Sequence, residues 1–131
     1  MRVISNYKLD LSDYPITMDA VEEALNSPTM KEVLEKNLLR GEINPIFPEG
    51  DRLRYFTVDP TNTAFLVTDP VLNKDAKELT INIIFDNNKI GNNLADLLEA
   101  GKLVVEMRGV NNNAGSFRLI CFDLIPIEKR R

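Results

Sequence analysis

The chain has 131 residues, a net charge of -4, 44% hydrophobic residues and 27% charged residues, values that fit one folded domain over 1–131 and exclude a disordered chain. The negative balance argues against nonspecific binding to nucleic acid or to an anionic membrane, since both need a basic surface. There is no histidine, and Cys121 is the single cysteine, so Ser-His, Cys-His and histidine-metal chemistry are removed together and no intrachain disulfide can form.

In chain order, Val3, Ile4, Tyr7 and Leu9 predict an opening strand over 2–9. Thr17 is the expected N-cap of a short helix through Asn26, with Met18, Val21 and Leu25 on one face. Ser27-Pro28 reads as N-cap plus N1 proline. It opens the main helix, about 28–40, with Met30, Val33, Leu34 and Leu38 as its apolar stripe and Gly41 at C′. Pro45, Pro48 and Gly50 make 42–51 a loop. Short strands are expected at Arg52–Val58 and Ala64–Thr68, each stopped by Asp-Pro, with Thr61-Asn62-Thr63 between them as a hairpin loop.

Leu79, Ile81, Ile83 and Phe85 alternate with Thr80, Asn82 and Ile84, which predicts a strand over 79–85. Asp86 to Asn92 is a turn, Asn93 caps a two-turn helix bearing Leu94, Leu97 and Leu98, and Gly101 ends it. Leu103–Val110 and Phe117–Ile127 form a long hairpin across residues 111–116. The last strand is apolar on both faces, with Phe117, Leu119, Cys121 and Ile125 on one and Ile120, Phe122 and Leu124 on the other. A strand covered on one side only would alternate. It is therefore either sandwiched or completed by another subunit.

The fold class is α+β: a mainly antiparallel sheet of five or six strands, with the helix near 28–40 and two shorter helices packed on it. The first residues lack a long apolar stretch, and the run from Phe117 to Ile127 is broken by Arg118, Asp123 and Pro126. Neither a signal peptide nor a membrane span is expected, and the expected compartment is the cytoplasm.

Chemistry-bearing patterns are sparse. Asp86-Asn87-Asn88-Lys89-Ile90-Gly91 starts like a calcium loop but has Ile90 and Leu97 where oxygen ligands are required. Asp75-Ala76-Lys77 has a nuclease-like spacing without convergent carboxylates. Arg52, Arg54, Tyr55 and Phe56, with Phe117-Arg118, mix cations and aromatics as single-strand binders do, yet both phenylalanines match core faces and the arginines read as a solvated rim. Cys121 lies in an apolar strand without an activator and reads as a small buried hydrophobe. The 14 asparagines cluster where turns are expected. No catalytic residue, metal ligand or cofactor is assigned.

One charge asymmetry stands out. Asp10, Asp13, Asp19, Glu22 and Glu23 occur with no Lys or Arg among them, which gives either a solvated helix face or an acidic patch for a basic protein surface. Three functions follow as expectations. The first is a non-enzymatic interaction and assembly protein, encoded by a virus or mobile element, that forms a homo-oligomer through Ile120, Phe122 and Leu124. The second is an acidic-surface inhibitor of a nucleic-acid-handling or defence enzyme. The third is a binder of a small, nucleotide-like anion through the Asn/Gly loops 86–93 and 111–116.

Overall fold

A computed structural model describes residues 2–112 and 115–130. Asn113 and Ala114 of the expected hairpin loop, and Arg131 of the tail, lie outside the described residues. The elements are β1 (Val3–Asp10), α1 (Met18–Leu25), α2 (Pro28–Glu35), β2 (Arg40–Ile43), α3 (Arg52–Phe56), β3 (Thr63–Asn73), β4 (Glu78–Phe85), α4 (Lys89–Glu99), β5 (Leu103–Asn111) and β6 (Phe117–Pro126). The strands form one six-stranded sheet in the order β1-β4-β3-β2-β6-β5. Every neighbouring pair is antiparallel except β2 and β6, which run parallel.

The sheet curls until its two edges approach each other. The Val105 amide of β5 donates to the Tyr7 hydroxyl of β1 at 3.2 Å, and the Met107 amide to the Tyr14 hydroxyl at 2.9 Å. Two phenols thus satisfy edge amides that would otherwise invite another strand. Inside the curl, Phe65, Val67, Leu79, Ile81, Ile83, Phe85 and Phe122 are all buried. Each is worth roughly 1.5–3 kcal/mol of stabilisation relative to exposure. The clean alternation of β4 does what its pattern predicted: Leu79, Ile81, Ile83 and Phe85 all face inward.

The main helix is shorter than its apolar stripe suggested. It stops at Glu35, because Asn37 takes a positive φ of 56°. The Asn37 amide donates to the Leu34 carbonyl and the Leu38 amide to the Val33 carbonyl, a Schellman closure with asparagine in place of glycine. Residues 40–43 then form β2 rather than a helix end. Gly41 serves sheet packing and not a C-cap: an added Cβ would lie 1.9 Å from the Phe65 ring.

Three further boundaries differ from the sequence reading. Residues 52–56 are the short helix α3, because the Asp51 carboxylate accepts from the Arg54 amide and starts a turn. Asp69-Pro70 does not end β3. The register shifts between Thr68 and Val71, with Asp69 at a φ of 53°, so the strand bulges and runs on to Asn73. The hairpin turn falls at 74–77, and where Thr61-Asn62-Thr63 was expected as a hairpin loop, Pro60–Asn62 make a single 3-10 turn and Thr63 opens β3. Finally, α4 starts at Lys89, capped by Asn88 at 2.8 Å. The earlier asparagine of the tract wins because its carboxamide reaches the Gly91 amide.

The doubly apolar β6 is sandwiched. Phe122 is 0% and Leu124 1% exposed, both within the main core cluster. They are covered by the chain itself, so neither side chain is left for a second subunit. Ile120 is half-buried and borders a groove described below. No described helix is long and apolar enough to cross a membrane.

Candidate functional site

The most unusual chemistry in the molecule is a charged cluster on the β2-β6-β5 part of the sheet. Register builds it. The parallel pair places Glu42 opposite Asp123, and the β5–β6 hairpin places Glu106 opposite Asp123 and Arg108 opposite Cys121. Glu42, Arg108 and Asp123 have no exposed side-chain surface. The Arg108 Nη2 donates to Glu42 Oε2 at 2.8 Å, to Asp123 Oδ1 at 2.9 Å and to Cys121 Sγ at 3.0 Å. Arg54, on α3, closes the other side of Glu42 at 2.5 and 2.9 Å, and the Asn62 side-chain amide adds a third donor at 3.2 Å.

A strap over residues 44–58 seals this cluster. The Arg108 Nη1 donates to the carbonyls of Tyr55 and Thr57, each at 3.1 Å. The Tyr55 hydroxyl returns a bond to the Gly109 carbonyl at 2.9 Å. The Phe47 ring lies 4.9 Å and the Tyr55 ring 5.9 Å from the Arg108 guanidinium carbon. Two hydrogen bonds and two ring contacts from the strap thus converge on the Arg108 side chain.

The electrostatics are those of a neutralised anchor. Burial pushes the Glu42 carboxyl up, but hydrogen bonds from Arg54, Arg108 and Asn62 outweigh it, and its pKa falls to about 2. Burial opposes the charge on Arg108 as well, and the bond to Glu42 with the fields of Cys121 and Asp123 reverses this, so Arg108 stays protonated. Burial raises the Cys121 thiol to about 12, with Asp123 adding to the shift. A carboxylate already holding three donors does not act as a general base near neutral pH. A thiol held at about 12 is not a nucleophile there either. Among the described residues no group of three His, Cys, Asp or Glu side chains is arranged to hold a metal ion.

None of Glu42, Arg108 and Asp123 was among the residues singled out from the sequence. Their signal was present: Arg108 and Asp123 interrupt apolar strands at positions that face the same side once the hairpin is in register. Arg54 is no solvated rim residue, because its side chain is 21% exposed and paired to Glu42. Phe56 and Phe117 are half-buried and line a groove; Phe117 also packs against the main core cluster, whereas Phe56 is not part of it.

The acidic run lies on the surface, and all five carboxylates are exposed. It is not free of cations in space, since Lys74 from the β3–β4 turn meets Asp19 at 2.7 Å and Glu22 at 3.4 Å. Asp10 accepts from Ser12, and Glu23 borders the groove. Within 86–93, Asn88 caps α4, and Arg40 holds Asp86 through two bonds of 2.9 and 2.8 Å. Asp75 and Lys77 are exposed turn residues.

A groove of about 1010 Å³ opens between α2, the end of the strap and the first half of β6, lined by Met30, Leu38, Phe56, Phe117 and Ile120, with Arg118 at its rim. No protein-family model and no curated protein matches the sequence of this chain. Among solved structures, the bacteriophage T4 capsid assembly protease is similar to it, with a TM-score of 0.62 over 95% of this chain and 91% of that one, at 16% identity. At that identity the likeness is one of fold alone.

Proposed function

We propose that this chain is a non-enzymatic interaction and assembly protein, encoded by a virus or mobile element, that works as a homo-oligomer. The observation carrying the reading is a contrast. The fold of a phage capsid assembly protease extends over 95% of the chain, while the chain has no histidine to activate a serine or cysteine. Its one thiol is buried and held at about 12. A protease-like scaffold with its polar core spent on internal pairing is suited to binding rather than to acyl transfer.

Self-association is supported by apolar side chains on the strap. Ile46 is 77% and Leu53 71% exposed, on a segment fixed from beneath by Arg108. Rigid, exposed apolar side chains favour association because burying them requires little reordering. Sedimentation velocity at micromolar concentration tests the reading. A mass above one chain supports it, and a single chain at every concentration overturns the homo-oligomer.

A further inference from the structure

The strap covers charges without belonging to the core. From Ile43 to Thr63 no residue is buried, and none is in the main core cluster or packs against it. Glu42 and Arg108, which it covers, have no exposed side-chain surface. Hydrogen bonds tie it down at Glu42, Arg108 and the Gly109 carbonyl, and the Asn44 amide holds its first residue to the Leu124 carbonyl at 2.7 Å.

The strap also holds to itself. The rings of Phe47 and Tyr55 stand 5.2 Å apart and those of Tyr55 and Phe56 5.8 Å apart, and the Arg54 guanidinium lies 5.7 Å from the Phe47 ring. These contacts join its two limbs, so the limbs detach together. Its ends stay in place when it does. Glu42 pairs with Thr63 in the β2–β3 ladder, and Asp59 accepts from the Thr61 amide at 2.9 Å. Asn44, at a φ of 42°, and Asp59 are the hinge positions.

Opening is favoured by what it hydrates. Water reaches Glu42 and Arg108, which returns part of the desolvation penalty of closing. The Arg108 Nε is buried and bonds to no other described residue. A buried donor without an acceptor destabilises the closed state, and opening gives it water.

We propose that residues 44–58 open as a unit while the sheet stays folded, with Arg54 leaving Glu42 and the Tyr55 and Thr57 carbonyls leaving Arg108, and that this opening gates self-association. The closed strap holds the exposed Ile46 and Leu53 in place, and the open strap carries both away. Association then favours closure by the same factor as closure favours association. The gating rests on the assembly reading, whereas the opening stands apart from it.

Native-state hydrogen exchange of the whole chain in low urea tests this, with sedimentation velocity on the same samples at two protein concentrations. The reporters are the Arg108 Nε proton, shielded by burial alone, and the Thr57 amide, which donates to the Arg54 carbonyl. Once detached, the single turn of α3 is too short to persist in water. Both reporters should exchange faster than the β4 amides and depend less on urea, because less surface is exposed. Ile81→Val, in the sheet core, should speed the β4 amides by about threefold to tenfold and leave both reporters unchanged. Arg54→Gln, its fold verified by circular dichroism, should speed both reporters roughly tenfold to a hundredfold, as loss of bonds to a charged partner predicts. It should also sediment lighter than the wild type, whose reporters should slow as concentration rises. Reporters that share the urea slope of β4, or that quicken equally in Ile81→Val, would overturn the opening. Reporters unchanged in Arg54→Gln would overturn the latch. A monomeric chain with separate strap exchange defeats self-association, and the gating with it, and leaves the opening in place. An oligomer whose reporters ignore concentration defeats the gating alone.

Discussion

Glu42 and Arg108 are 66 residues apart and meet at 2.8 Å with no exposed side-chain surface on either. Removing one partner of a buried pair leaves the other charge uncompensated, which costs roughly 3–5 kcal/mol. Arg108→Met should therefore lower stability by about that amount, because Glu42 and Asp123 lose a shared donor. It should also release the strap. Urea unfolding checks the first effect and hydrogen exchange at residues 44–58 the second. A variant as stable as the wild type, with the strap still protected, would remove Arg108 as the anchor.

Acid should act through Glu42. Its folded pKa of about 2 lies below its ordinary 4.5. A carboxyl depressed by folding adds stability that is full above its unfolded pKa and lost as pH falls through the folded one. The window runs from about pH 4.5 down to about 2, and the loss is about 3 kcal/mol at roughly 1.36 kcal/mol per unit. Unfolding free energy measured across this range should fall with a steep limb in the wild type and a shallower one in Glu42→Gln.

Cys121 should resist thiol reagents in the native state. Its side chain is buried and its thiol is held at about 12, so labelling at neutral pH should follow global unfolding and accelerate with urea. Fast labelling of folded protein would contradict the burial.

Gly41→Ala should destabilise the protein by about 1–3 kcal/mol, the usual cost of overpacking. The new methyl would meet the Phe65 ring, which is itself fully buried. Phe65→Leu in the same chain should recover part of that loss, and thermal unfolding of the two single variants and the double variant measures the coupling.

The parts of this fold legible in the sequence are those governed by local rules. β4 alternates, so its buried face could be read residue by residue, and Thr17 and Ser27 cap α1 and α2 as their chemistry suggests. The misread boundaries turn on backbone geometry that residue type does not fix alone. Asn37 and Asp69 adopt positive φ where the apolar pattern ran on in one case and a proline signalled a stop in the other. The charged cluster was hidden for a different reason: Glu42, Arg54, Arg108 and Asp123 come from four elements, and their meeting depends on a parallel pairing that spans most of the chain. The second apolar face of β6 was visible, and its cover, the chain's own core and not a second subunit, was not.

The acidic run can be tested on its own. Reversing Glu22 and Glu23 to Lys places a new cation beside Lys74, which already holds Asp19 and Glu22. Exposed pairs of this kind are worth about 0–1 kcal/mol. The double variant should unfold within about 1 kcal/mol of the wild type and sediment with the same mass. A lighter particle would place the acidic face in the assembly contact.

In the proposed self-association, the exposed strap side chains Ile46 and Leu53 lie in the contact. Light scattering of the wild type beside an Ile46→Asp, Leu53→Asp double variant tests it most directly. The wild type should scatter as a particle heavier than one chain, and the variant as a single folded chain with its far-ultraviolet circular dichroism unchanged. A monomeric wild type, or a variant as heavy as the wild type, would contradict it.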